Sequence, residues 1–474
     1  MDQHQWQALS GIASNPSTPA PLLLRLLAFE DRDILHAVAR RADLPDEVVD
    51  AIVAHPTAHV RGTFAQSVLG DPVQRARLAH DPTGSVRFAL AAGPMPYGKP
   101  KPLPDWAYER LLADERPQVV YEALGSATIS PRFLAGLADH TSPGFRYWAC
   151  RRTWHLLPEE TRRALLRDED PDVRRAASLH VYEEDEQLTG ELVEALDGEG
   201  ELGDVLRRGR LSRDVAEQAL RKRTRLPDLA ANPSLPADLV ALLATDENPR
   251  VRLAVSARPE LTEEERAAID YEVGPEDRLG TLDWVWRARE DLDVLRRCVT
   301  SAHPWLRRSA AVSPHVPPDL VQLLASDEDF AVRLLLCEYH PEPPPELLLD
   351  VYVHGEHRAR EMLIVRPGFP KAGLAAIFAD HPEPWRRSRA LYDPGASAEL
   401  VDRLSREEVA SVRRSAARDP RLSVERIREL LSDPEAAAGA GGNPSLPVED
   451  MLRLLDEAGV PASVAYPAGP AQAR

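Results

Sequence analysis

Arginine returns through this chain behind an apolar residue, at Arg61, Arg87, Arg146, Arg174, Arg252, Arg307, Arg333 and Arg413, and Arg387 fills the same place. An aspartate stands six residues before several of them: Asp81, Asp168, Asp246 and Asp327. A row of guanidiniums along one groove would bind anions, whereas guanidinium–carboxylate pairs would tie a turn to a helix or to its neighbour. Because Arg and Asp recur together with one period, the pairing role is the expected one, and these residues are read as a structural ladder. A repeated pair is also a poor catalytic candidate, since catalysis needs one distinct constellation.

His354, Glu356 and His357 are the only dense group of potential metal ligands, but Gly355 between them marks a turn, and a zinc site needs three or four converging donors. Cys150, Cys298 and Cys337 are odd in number and far apart, which suits a reducing compartment. No phosphate-binding loop, dinucleotide fingerprint, nucleophile elbow or His-Glu-x-x-His stretch is present, so no catalytic residue, metal or cofactor is expected. Tryptophan is the more informative type. Trp305 and Trp385 follow Pro304 and Pro384 at equivalent places, while Trp148 with Trp154, and Trp284 with Trp286, form local clusters. Packing between repeats accounts for them, but any that line a groove become candidates for partner binding.

The elements that carry these residues repeat. Asn232-Pro233-Ser234-Leu235-Pro236 returns as Asn443-Pro444-Ser445-Leu446-Pro447 and, with one change, as Asn15-Pro16-Ser17-Thr18-Pro19. After the middle copy, Leu239, Leu242 and Leu243 predict one face of a first helix. Asn248 and Pro249 can open a second, with Val251, Ala254 and Val255 on its apolar face. The Val-Arg ruler gives spacings near 26 residues. Helices this short do not persist alone, so stability must come from neighbouring repeats, and the end repeats should need polar or frayed caps.

The Asn-Pro-Ser-Leu-Pro string, two leucine-rich turns, an Asp and then Val-Arg resemble the bacterial leucine-rich repeat variant family, which is close to HEAT-like repeats. The resemblance covers most of residues 15–456. It implies an all-α fold, a right-handed α-solenoid (superhelix) of about sixteen helical pairs, some members alternating α-helix with 3₁₀-helix. The family's cysteine-rich iron–sulfur segment has no counterpart here.

The expected organisation is an N-terminal array over 1–179 with a proline-rich insertion at 92–104, divergent charged repeats over 180–300 acting as a hinge, a C-terminal array over 301–456, and a disordered tail at 457–474. Gly439 to Gly442 reads as a flexible joint before a last, unpaired repeat. The excess of 76 acidic over 58 basic residues gives a formal charge of −18. That field argues against nucleic acid and anionic membranes, and favours a basic protein or peptide as partner. No run of about 18 apolar residues and no secretory signal are visible, so the expected place is the cytoplasm. The expected function is a non-enzymatic scaffold presenting a curved surface to a protein or peptide. The alternative is a HEAT-like enzyme acting on nucleic acid or attaching a cofactor, for which 205–225 is the only basic stretch.

Overall fold

The computed structural model describes residues 2–29, 31–94, 101–196 and 199–462. Part of the proline-rich insertion (95–100) and of the expected tail (463–474) lies outside the described residues. The fold is an all-α solenoid of short stacked helices, with 3₁₀ segments at five places, among them Arg77–His80, Arg358–Val365 and Ser388–Tyr392. No helix among the described residues is long and apolar enough to cross a membrane.

The repeat opened by Asn232 shows how the sequence makes the pair. Its helices are Ala237–Leu243 and Pro249–Ser256. The Asn248 side chain accepts the Arg250 N–H at 3.0 Å, and Pro249 is the first helical residue, where a missing N–H costs nothing. Val251, Ala254 and Val255 are buried with Leu239 and Leu243. Leu242 is not: it is 56% exposed, as is its counterpart Leu323 at 54%. The buried stripe of the first helix runs through i, i+1 and i+4, because Leu242 lies about 100° around the helix from Leu243. Pro236 precedes this helix as its cap rather than lying inside its first turn.

The recurrent asparagine is the joint between repeats. Asn232 is fully buried; its Nδ2 donates to the Leu206 and Gly209 carbonyls at 2.6 and 2.8 Å, and its Oδ1 accepts the Ser234 N–H at 2.7 Å. Asn443 does the same with the Ala417 and Asp419 carbonyls and the Ser445 N–H. Each therefore satisfies the carbonyls left open at the end of the preceding repeat's second helix.

Asn15 makes this contact too, and its preceding repeat is the last one in the chain. Its Nδ2 donates to the Gly441 and Asn443 carbonyls at 2.9 and 2.7 Å, and Ser17 Oγ donates to the Pro444 carbonyl. The chain divides into two compact units, Met1–Arg162 with Lys371–Arg474, and Arg163–Pro370. In the first, second helices pack in the order Ala410–Ala417, Ala437–Gly441, Gln3–Ser14, Arg32–Ala39, Ala58–Ala65. Val448–Glu457 is a first helix with no second helix after it among the described residues, and Gln3–Ser14 packs against it in that role. The final repeat is thus composite, half from each end of the chain. Arg25 locks it from the next repeat, pairing with Asp456 at 2.7 Å and donating to the Val460 carbonyl.

Two expectations fail here. Gly439 to Gly442 is no joint: Ala437–Gly441 is a buried helix in which Gly439 admits the backbone of Ala410–Ala417 and Gly441 that of Gln3–Ser14. A Cβ on Gly441 would sit 2.2 Å from the Ala8 carbonyl oxygen, and one on Gly11 would sit 2.3 Å from that of Ala438. Nor is the last repeat unpaired, because the apolar face that a linear array would leave to solvent is covered by Ala8, Leu9, Ile12 and Ala13.

The arginine series runs through both units. Nη1 of Arg61, Arg87, Arg146, Arg174, Arg252, Arg307, Arg333, Arg387 and Arg413 donates to the carbonyl six residues earlier, at the turn before its own helix. The other edge of the guanidinium reaches the next repeat: Arg61 to Asp81 at 2.6 Å, Arg87 to Asp114 at 2.5 Å, Arg307 to Asp327 at 2.7 Å, Arg387 to Glu407 at 2.7 Å and Arg413 to Asp433 at 2.9 Å. The carboxylates of Asp81, Asp168, Asp246 and Asp327 also accept the N–H two residues on, holding the turn. Asp246 takes Arg223 at 3.1 Å, and Arg252 turns to Asp270 at 3.0 Å. The turns at Asp81, Asp246, Asp327 and Glu407 are thus fixed from both sides by charge-assisted bonds.

A candidate binding cavity beside Trp284 and Trp305

In the unit Arg163–Pro370 a cavity of 990 Å³ opens where the repeat is broken by the irregular segment 270–282. Its floor is helical: Arg207 and Arg208 end Glu199–Arg208, Pro227 and Asp228 belong to Leu226–Ala230, and Arg250, Leu253 and Ala254 lie on Pro249–Ser256. Asp283, Trp284 and Arg287 on Asp283–Arg287, with Trp305 on Pro304–Ala311, form the far wall.

The loop is held in place by side chains of Pro304–Ala311. Trp305 Nε1 donates to the Gly280 carbonyl at 2.7 Å, Ser309 Oγ accepts the Leu282 N–H at 3.0 Å, and the buried Arg308 donates to the Gly274 and Asp277 carbonyls while pairing with Asp329 at 2.6 Å. At its start, Tyr271 stacks on His303 at 4.3 Å between centroids. The wall is therefore built before any ligand arrives, the arrangement that lowers the entropic cost of binding.

Arginine dominates the polar lining, and most of it is committed. Arg207 pairs with Asp228 at 2.5 Å, Arg208 with Asp283 at 2.6 Å, and Arg287 with both Glu183 at 2.6 Å and Asp283 at 2.9 Å. Arg213, Arg223 and Arg225, from the same basic stretch, meet Asp238, Asp246 and Asp228. The 205–225 run is thus largely neutralised by carboxylates.

The tryptophans separate by place. Trp284 and Trp305 line the cavity, each with its indole N–H spent on a carbonyl, of Ala257 and Gly280. Trp286, on the same short helix, is exposed outside the cavity with Arg289 over its ring at 4.9 Å. In the other unit Trp148 packs edge-on against Tyr121 and Tyr147, Trp154 carries Arg162, and the exposed Trp385 carries Arg386 at 5.2 Å and Arg389 at 5.8 Å. Sequence reasoning missed Arg250, Arg278, Arg308 and Tyr271. A signal existed for the first. Two places before the ladder arginines the residue type varies, among others as His59, Ser85, Arg250, Trp305 and Ala331.

Potentially reactive groups nearby are employed otherwise. Ser256 Oγ and His303 Nε2 lie 2.9 Å apart, a contact that resembles a nucleophile and its base. The direction is wrong for that. His303 Nδ1 accepts the Trp305 N–H at 3.2 Å, so the ring proton of the neutral imidazole is on Nε2, and Ser256 in turn donates to the Leu253 carbonyl. Both side chains are buried. Burial also pushes the Cys298 and Cys337 thiols up to about 12, away from thiolate chemistry. His354 bonds Asp350, and His357 caps a helix through Nδ1; no group of three His, Cys, Asp or Glu side chains converges as a metal site among the described residues.

These observations describe a stack of helical pairs with a built cavity beside Trp284 and Trp305. The architecture is an α-solenoid of short helical pairs. No family model matches the chain, and no curated protein matches it. Among solved structures, a study of tubulin recruitment and assembly by microtubule polymerases with tumor overexpressed gene (TOG) domain arrays contains a chain 12% identical, covering 88% of this chain and 99% of that one, with a TM-score of 0.20. An engineered protein is 13% identical, with coverage of 95% and 99% and a TM-score of 0.13. Likenesses this loose carry no argument about this chain.

His303 gives the region a pH dependence. Burial, followed by the charges of Arg266 and Arg307, lowers its pKa to about 3. Between that value and the ordinary value near 6.5 the unfolded chain binds a proton that the native chain refuses, so stability is full above about pH 6.5 and falls below it, by about 1.4 kcal/mol per pH unit at most. His303→Asn, patterned on the Asn248 cap, should remove most of that slope, about 2 kcal/mol between pH 6.5 and 5. Urea denaturation of both proteins across this range checks it; equal slopes would refute the assignment.

Proposed function

We propose that this chain is a non-enzymatic scaffold that binds a protein or peptide, and that the cavity beside Trp284 and Trp305 receives part of the partner. The observation that carries this reading is the fixed wall of the cavity: Trp305, Arg308 and Ser309 hold in place a loop that breaks the repeat. Recognition would be preorganised, with aromatic and arginine side chains supplying most of the affinity. The ladder residues stay structural in this reading. The alternative of an enzyme on nucleic acid gains no support, because the basic stretch it needs is largely taken up in ion pairs.

The buried asparagine of the Asn-Pro-Ser-Leu-Pro tract supports placing the chain with the bacterial leucine-rich repeat variant proteins, and the buried cysteines are consistent with the cytoplasm. A charge of −18 favours a partner whose body is basic, an attraction that screens out beyond about 8 Å at physiological salt.

The test is a comparison of the native chain with the Trp305→Ala/Arg308→Ala variant as immobilised bait. Partners identified on the native protein should bind the variant at least 10-fold more weakly, about 1.4 kcal/mol, while circular dichroism stays unchanged. Equal affinity for both would refute the role given to the cavity.

A further inference from the structure

The lining of the cavity points to the chemistry of what enters it, if it is the recognition site proposed above. Of its five arginines, Arg207, Arg208 and Arg287 are already held by carboxylates. Arg250 and Arg278 are exposed, and neither has an ion pair among the described residues. They are two guanidiniums placed at a cavity and left without partners, where a forked donor meets a carboxylate best.

Much of the rest of the lining is apolar in what it can offer. Both indole N–H groups are spent on carbonyls of the chain itself, so Trp284 and Trp305 present rings and no donors. Pro227, Pro233, Pro249 and Pro259 add C–H surface beside Leu253 and Ala254. A volume of 990 Å³ lies at the upper end of the range of about 300–1,000 Å³ typical of ligand pockets, enough for a short extended segment and too little for a folded domain. Glu272 and Asp277 share the wall, and Asp277 is committed to the Gly274 N–H at 2.7 Å. They would repel a continuous acidic run, so the carboxylates of an occupant must be spaced by apolar residues.

We propose that the cavity binds an extended peptide segment in which acidic and apolar residues alternate, its carboxylates on Arg250 and Arg278 and its apolar side chains against Trp284, Trp305 and Leu253. The net charge of the protein opposes the approach of such a segment at long range, so the contact is made by the two arginines and not by the general field.

The experiment uses the full chain and a fluorescein-labelled Glu-Leu-Asp-Phe-Glu-Leu peptide, with Gln/Asn and Lys counterparts and free N-acetylglutamate as controls. The acidic peptide should bind best by fluorescence anisotropy. Arg250→Glu/Arg278→Glu should weaken it at least 10-fold and transfer the preference to the Lys peptide. Both positions are exposed, and a glutamate near the start of Pro249–Ser256 suits that helix end, so the variant should fold. The proposal is overturned if the acidic peptide does not bind, if charge reversal leaves its affinity unchanged, or if N-acetylglutamate binds as tightly. Loss of partners on Trp305→Ala/Arg308→Ala alongside any of these results would leave the scaffold reading standing and remove only this occupant.

Discussion

Gly441→Leu should detach the N-terminal helix from the rest of the protein. The new side chain would start 2.2 Å from the Ala8 carbonyl and 3.0 Å from its carbon, both backbone atoms that a rotamer change cannot move. Overpacking against backbone costs about 1–3 kcal/mol or more. Separation would also strip the buried Asn15 of its two carbonyl partners and uncover the apolar face of Val448–Glu457. The expected result is loss of amide-exchange protection over residues 3–14 and, at the other end of the sequence, over 448–457, with a total cost of about 3 kcal/mol or more. Asn15→Ala should give the same pattern at lower amplitude. A linear array would behave otherwise, with fraying confined to the mutated end. Protection that changes at only one terminus would therefore refute the composite repeat.

Arg87→Ala should be the most damaging change in the arginine series. Arg87 and Asp114 are both buried, 2.5 Å apart, and the Arg87 guanidinium holds the Asp114 carboxyl below the usual carboxylate range. Removing one partner leaves a buried charge without its counter-ion, at a cost of about 3–5 kcal/mol. The Asp81 carbonyl loses a donor as well. Arg213→Ala breaks an exposed pair with Asp238 that water and salt screen, and should leave stability almost unchanged. The sign with pH follows from the depressed carboxyl: its stabilisation is present above about pH 4 and fades as pH falls further, so Arg87→Ala should destabilise most at neutral pH. Denaturant midpoints of the two variants at pH 7 and pH 3.5 test this; a cost below 1 kcal/mol for Arg87→Ala would show that the ladder is not a main support of the stack.

Whatever repeats could be read from the sequence, and what does not repeat could not. The period near 26, the Asn248 cap and the burial of Val251, Ala254 and Val255 all follow from local rules of spacing and capping. Leu242 was misread because three leucines in a seven-residue helix leave the width of its buried stripe undetermined. Gly439 to Gly442 was misread for a different reason. Glycines signal a joint when only their neighbours in sequence are considered, whereas Gly439 is needed by the helix one repeat earlier and Gly441 by a helix more than 400 residues away. The ladder arginine binds the carbonyl, not the carboxylate, of the residue six places earlier, a distinction that residue types alone do not contain. The cavity rests on 270–282, where no apolar rhythm survives, so only a folded structure brings Arg250, Arg278 and Trp305 together.

The composite repeat also sets a schedule. A ribosome releases Gln3–Ser14 about 430 residues ahead of Val448–Glu457, so at about 5–20 residues per second the early helix waits on the order of half a minute or longer for its mate. Through that interval Ala8, Leu9 and Ile12 must be sheltered by something else, and a nascent-chain chaperone is the natural guardian of so long an engagement.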